Sequence, residues 1–108
     1  MRFLAIGRHS AAYSTADAEA LMPAEMSTAS ELYREQFIRE GYMDVSYTEA
    51  VLLIDADDPA TVTDQLNRYP LVKGGLIQFE ITRLVGLPAI TVANQASHPP
   101  AWWPADPV

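Results

Sequence analysis

Apolar and polar residues alternate without a breaker from Arg2 to Arg8, which is the period of an extended strand. Residues 9–22 are small and polar and read as a loop, with a short turn of helix near Ala16–Leu21. Pro23 suits the first turn of a helix, where its missing N–H is not needed. From there Met26, Ala29, Tyr33 and Phe37 recur at spacings of three and four, with Leu32 beside them, as an apolar stripe on one helix face. Gly41, after Arg39 and Glu40, predicts the end of that helix. Residues 42–47 read as a strand, with Tyr42, Asp44 and Ser46 on one side and Met43, Val45 and Tyr47 on the other. Val51–Ile54 is continuously apolar, as in a strand covered on both faces. The short Thr48-Glu49-Ala50 connection makes this pair a hairpin. Asp57-Asp58-Pro59 then predicts a helix start, a capping acid followed by proline at the first position. Val62, Leu66 and Tyr69 supply its stripe, and Pro70 and Gly74-Gly75 end it. Residues 76–84 form a last strand, Ile77, Phe79 and Ile81 opposite Gln78, Glu80 and Thr82.

Strand, helix, strand, strand, helix, strand is the order of the ferredoxin-like split βαβ arrangement, an α+β fold. Right-handed crossovers put both helices on one face of a four-stranded antiparallel sheet, with the first and third strands central. Those central strands are apolar on both faces: Phe3 and Ala5 oppose Leu4 and Ile6, and Val51 and Leu53 oppose Leu52 and Ile54. Helices cover one face only. The other carries side chains worth roughly 1.5–3 kcal/mol each if buried, and a patch of that kind marks an interface. A homodimer packed sheet against sheet is therefore expected, as most homo-oligomers close on a two-fold axis. The polar sets Tyr42/Asp44/Ser46 and Gln78/Glu80/Thr82 would form its rim or face water. The domain is expected over 1–88, followed by a proline-rich tail over 89–108 that carries Trp102-Trp103.

Composition narrows the function. A chain of 108 residues without cysteine has no disulfide, thiolate metal site or cysteine nucleophile. A formal charge of −7, with 14 acidic and 7 basic residues, repels phosphate backbones, so no nucleic-acid partner is expected. No apolar run approaches the roughly 20 residues of a membrane helix. The first residues are too quickly polar for a signal peptide, which makes the protein a cytoplasmic one on this reading. No ligand spacing for a metal, no phosphate-binding glycine loop and no nucleophile elbow is visible.

Two segments resemble the muconolactone isomerase-like branch of the dimeric α+β barrel proteins. One runs from Leu32-Tyr33 to Arg39-Glu40-Gly41-Tyr42; the other is Tyr69-Pro70-Leu71-Val72-Lys73-Gly74-Gly75 through Leu84. The resemblance spans about residues 2–88. It implies a dimer built by sheet packing, in some members assembled further, and a ligand cavity between sheet and helix. It also implies proton transfer on a small unsaturated substrate with no cofactor. Relatives include cofactor-free monooxygenases and polyketide cyclases. After Glu40-Gly41 the namesake is rich in tryptophan, arginine and histidine, where this chain has Tyr42-Met43-Asp44-Val45-Ser46-Tyr47.

Proton transfer beside a carbonyl needs a base and a group that holds the enolate oxygen. His9, at the end of the first strand, is the candidate base; otherwise it is a hydrogen-bonded loop histidine. His98 lies in the tail. Glu40 and Glu80 are the candidate acid partners, and Asp44 is a further strand acid that burial would tune. Arg39 is a candidate for a substrate carboxylate or a helix cap. Tyr13, Tyr42, Tyr47 and Tyr69 are candidate pocket walls or phenol donors. The expected activity is cofactor-independent isomerisation or cyclisation of a small hydrophobic oxygenated substrate. A cofactor-free monooxygenase and a non-catalytic ligand-binding dimer are the alternatives.

Overall fold

The computed structural model describes residues 1–87. The boundary expected at residue 88, and the readings placed on His98 and Trp102-Trp103, lie outside the described residues. Seven elements follow in order: β1 (Arg2–His9), α1 (Thr15–Arg34), β2 (Ile38–Met43), β3 (Glu49–Asp55), α2 (Pro59–Leu66), α3 (Pro70–Lys73) and β4 (Ile77–Leu84). The sheet is antiparallel throughout in the order β2-β3-β1-β4, so the first and third strands are central as expected.

Register fixes the two faces. Phe3 pairs with Ile54, Ala5 with Leu52 and Ile81, and Gly7 with Phe79. These residues form one core with Leu32 of α1 and Val62 and Leu66 of α2, so both long helices cover the same side. Gly7 is required there: a Cβ would sit 2.8 Å from the Phe79 ring, which lies across the strand. On the side that no helix among the described residues covers, called the bare side below, Leu4, Ile6, Val51 and Leu53 remain half-buried at the centre. Ion pairs fringe them, Arg2 with Asp55 at 3.0 Å and Arg8 with both Glu49 at 2.6 Å and Glu80 at 2.8 Å.

The first helix is longer and earlier than the sequence reading placed it. Ser14 caps it, accepting the Asp17 N–H at 3.3 Å, and it runs over residues expected as loop. Ala16, Ala18 and Ala20 are strong helix formers, so the small-residue run is helical rather than irregular. Pro23 lies inside the helix and does not open it. The helix ends on Gln36, in the left-handed region at φ 63°, with Phe37 N–H donating to Leu32 O at 3.1 Å and Gln36 N–H to Tyr33 O at 3.0 Å. This is the closure usually built on glycine. Arg39, Glu40 and Gly41 consequently belong to β2, with a register shift between Ile38 and Glu40, and not to a helix end.

Three further boundaries differ. β2 stops at Met43 because the Asp44 carboxylate captures the next turn, accepting N–H bonds from Thr48 at 2.7 Å and Glu49 at 2.8 Å. Asp44 and Ser46 are therefore turn residues and not strand residues; the hydroxyl of Ser46 and the Glu49 N–H hold Asp44 below the usual carboxylate range. α2 begins as expected, with Asp58 accepting the Thr61 N–H at 2.7 Å ahead of Pro59. It ends at Leu66, and Pro70 starts a separate one-turn helix. Gly75 closes that turn at φ 73°, with Leu76 N–H donating to Leu71 O at 2.9 Å.

Candidate functional site

One line of α1 faces inward at seven-residue intervals: Ala18, Glu25 and Leu32. Ala18 and Leu32 are ordinary core residues. Glu25 is a carboxyl in the same row, 7% exposed, and is the buried charged residue of the described chain. Its Oε1 accepts the Leu71 N–H at 3.0 Å, which ties the middle of α1 to the one-turn helix α3. Burial pushes the Glu25 carboxyl above its ordinary value, and the Leu71 hydrogen bond opposes this only in part.

Glu25 borders a cleft between α1 and the helix-covered side of the sheet. Its larger lobe, about 420 Å³, lies at the end of the sheet where β1 finishes. Gly7 and His9 of β1 line it, with Tyr13 from the following loop, Met22 and Met26 of α1, and Tyr47 and Thr48 from the β2–β3 turn. A second lobe of about 350 Å³ extends along β2 and β3 past Gly41, Leu52 and Tyr69. Glu25, Met26, Met43, Ala50 and Ile77 border both lobes, so the two adjoin. The His9 and Tyr13 rings stack face to face, centroids 3.6 Å apart and 4° from parallel. The backbone sets that stack: Tyr13 N–H donates to Ser10 O at 3.1 Å, and Ser10 N–H to Leu76 O at 2.9 Å. Tyr69 is buried beside the second lobe, and burial with the nearby Glu25 pushes its phenol up to about 12.

The structure divides the candidates read from the sequence. It gathers His9, Tyr13, Tyr47 and Tyr69 around the cleft. Tyr42 does not join them as a pocket wall: it pairs with Val51 on the opposite face of the sheet, where its hydroxyl donates to Glu40 Oε1 at 2.7 Å, and it only edges the second lobe. Glu40 and Glu80 do not join His9. Register places both on the bare side of the sheet, at opposite edges, because they alternate with inward-facing neighbours on β2 and β4. Glu80 is held there by Arg8. Arg39 sits in the β2 irregularity, 3.6 Å from Asp55, and borders a separate surface cleft with Tyr33 and Arg34. Glu25 is not among the residues that the sequence singles out: it falls in step with Ala18 and Leu32 only when α1 begins at Thr15 and not at Pro23. Among the described residues no three His, Asp or Glu side chains converge as a metal would need, and no helix is long and apolar enough to cross a membrane.

No protein-family model matches the chain, and no curated protein matches it by sequence. Solved structures do. The chain is similar to muconolactone isomerase, with 20% identity and a TM-score of 0.67 over 91% of this chain and 96% of that one. It is also similar to 5-chloro-2-hydroxyhydroquinone dehydrochlorinase from Burkholderia phenoliruptrix AC1100, solved with 2,5-dihydroxybenzoquinone. That likeness has 18% identity and a TM-score of 0.66 over 79% of this chain and 94% of the other. At these identities the shared property is the fold, the antiparallel ferredoxin-like α+β arrangement of both proteins.

Proposed function

We propose that this protein is a cofactor-independent enzyme that moves a proton on a small, hydrophobic, oxygenated substrate, by isomerisation or cyclisation. The observation that carries the reading is Glu25: a buried carboxyl with a raised pKa on the wall of an apolar cleft that an imidazole also lines. Burial makes an acid in such surroundings hold its proton more tightly than a free carboxyl, and such acids are candidates for functional sites. In the proposed step His9 takes a proton from carbon beside a carbonyl. Glu25, as the carboxylic acid, donates a hydrogen bond to the carbonyl oxygen while negative charge develops there. Return of the proton at a different carbon completes an isomerisation; attack by the enolate carbon on a second carbonyl of the substrate, whose C=O π bond breaks as its oxygen takes the proton held by His9, completes a cyclisation. Glu25 thus takes the place first given to Glu40 and Glu80. The two structural neighbours are named for isomerisation of a lactone and for dehydrochlorination of a hydroquinone, both reactions of small oxygenated molecules.

The test follows the proton without requiring the natural substrate. A panel of small unsaturated lactones and phenolic ketones is incubated in D2O, and NMR reads deuterium entering the position beside the carbonyl. Wild-type protein is expected to accelerate exchange for at least one compound, and His9→Ala and Glu25→Gln each to lower that rate by about 10²-fold or more. Exchange unchanged in both variants would remove the mechanism.

A further inference from the structure

The cleft has no cation. The seven basic side chains of the chain are Arg2, Arg8, Arg34, Arg39, Arg68, Arg83 and Lys73, and none of them lines either lobe. Arg2 and Arg8 are on the far side of the sheet, paired with acids. Arg68 is held outside by Glu31 at 3.1 Å and Glu35 at 2.8 Å. The acid that does face the space, Glu25, is buried among apolar side chains. A ligand carboxylate entering here would lose its water and gain no guanidinium or ammonium partner. Such burial is strongly unfavourable.

What lines the space favours a flat, uncharged ring. The stacked His9 and Tyr13 rings both line the space, and Tyr47 adds a third aromatic. Met22, Met26 and Met43 supply polarisable thioethers that pack well on ring edges. The cleft, at about 420 Å³ in its larger lobe, falls within the size range of small-molecule pockets.

We infer that the cleft selects an uncharged, planar aromatic ligand carrying hydroxyl or carbonyl groups and excludes ligands that carry a carboxylate. The inference rests on the proposed function for the location of the site, and sharpens it to a substrate class. Two matched probes test it by calorimetry or fluorescence at pH 7.5: 2-naphthol, which is neutral, and 6-hydroxy-2-naphthoate, which differs by the carboxylate. The naphthol is expected to bind at least about tenfold more tightly, a factor equal to 1.4 kcal/mol. Met26→Lys, which sets a cation at the mouth of both lobes on an exposed turn of α1, is expected to tighten the naphthoate and narrow the gap to about threefold or less. Equal or tighter binding of the naphthoate by wild-type protein, or binding of neither probe, overturns the inference. A clear preference for the naphthol without any deuterium exchange would instead remove the catalytic reading and leave the ligand class standing.

Discussion

Glu25 dominates at the scale of single residues because its protonation links site chemistry to stability. Its carboxyl binds a proton more tightly in the folded protein than in the unfolded chain. By linkage, its favourable contribution is complete below the ordinary carboxyl pKa and is lost as pH rises through the higher folded value. Glutamine keeps the shape and an acceptor for the Leu71 N–H but does not titrate. Glu25→Gln is therefore expected to gain stability relative to wild type between pH 5 and pH 8, read as the difference between their urea midpoints at each pH. A difference that stays constant across that range would mean that Glu25 is ionised at its usual value, and the acid proposed for catalysis would be absent. Gly7 shows the same economy of space: its missing Cβ leaves room for the Phe79 ring beside the cleft. Asp44 illustrates the opposite case, a carboxylate whose hydrogen bonds all serve a turn.

At the scale of elements, α1 decides where the site is, and its inward face can be tested by paired truncations. Leu32 is fully buried, whereas Tyr33 is 63% exposed. Leu32→Ala is expected to cost about 2–5 kcal/mol, and Tyr33→Ala about 0.5 kcal/mol or less, in denaturant unfolding. Comparable losses would place Tyr33 on the inward face with the rest of the stripe that spacing favours. Phe37 and Leu32 are in the core, Ala29 packs against it and Met26 borders the cleft, whereas Tyr33 faces water. The true inward row passes through Ala18 and Glu25, residues that carry little or no hydrophobic signal, so the larger apolar residues beside it dominate the pattern. The helix end was hidden in the same way, since Gln36 adopts the left-handed conformation that sequence reading assigns to Gly41. The strands were more legible. β1, β3 and β4 sit within a residue or two of the expected bounds, because period-two alternation and a doubly apolar run have few competing explanations. Of the site, His9 and the tyrosines were legible as residue types near a strand end, whereas the acid that joins them required knowing where α1 begins.

At the scale of the molecule, the two faces of the sheet differ: helices cover one, and the other keeps an apolar centre partly in water. Helices seal Phe3, Ala5, Leu52 and Ile54, while Leu4, Ile6, Val51 and Leu53 keep part of their surface in water. The Arg2–Asp55 pair and the Arg8–Glu49–Glu80 cluster fringe this apolar centre, the arrangement of an interface with an apolar core and a polar rim. We propose that two copies join here about a two-fold axis. Sedimentation at micromolar concentration is expected to give a dimer for the wild-type chain. Ile6→Glu, near the middle of the patch, sets a carboxylate in an apolar contact and close to its own symmetry copy, and is expected to give a monomer. Because Ile6 points away from the cleft, that variant should still bind 2-naphthol, which separates loss of assembly from loss of the fold. A wild-type chain that sediments as a monomer would leave the apolar centre of this face solvated, and the pairing of subunits would have to be abandoned while the cleft on the other side kept its chemistry.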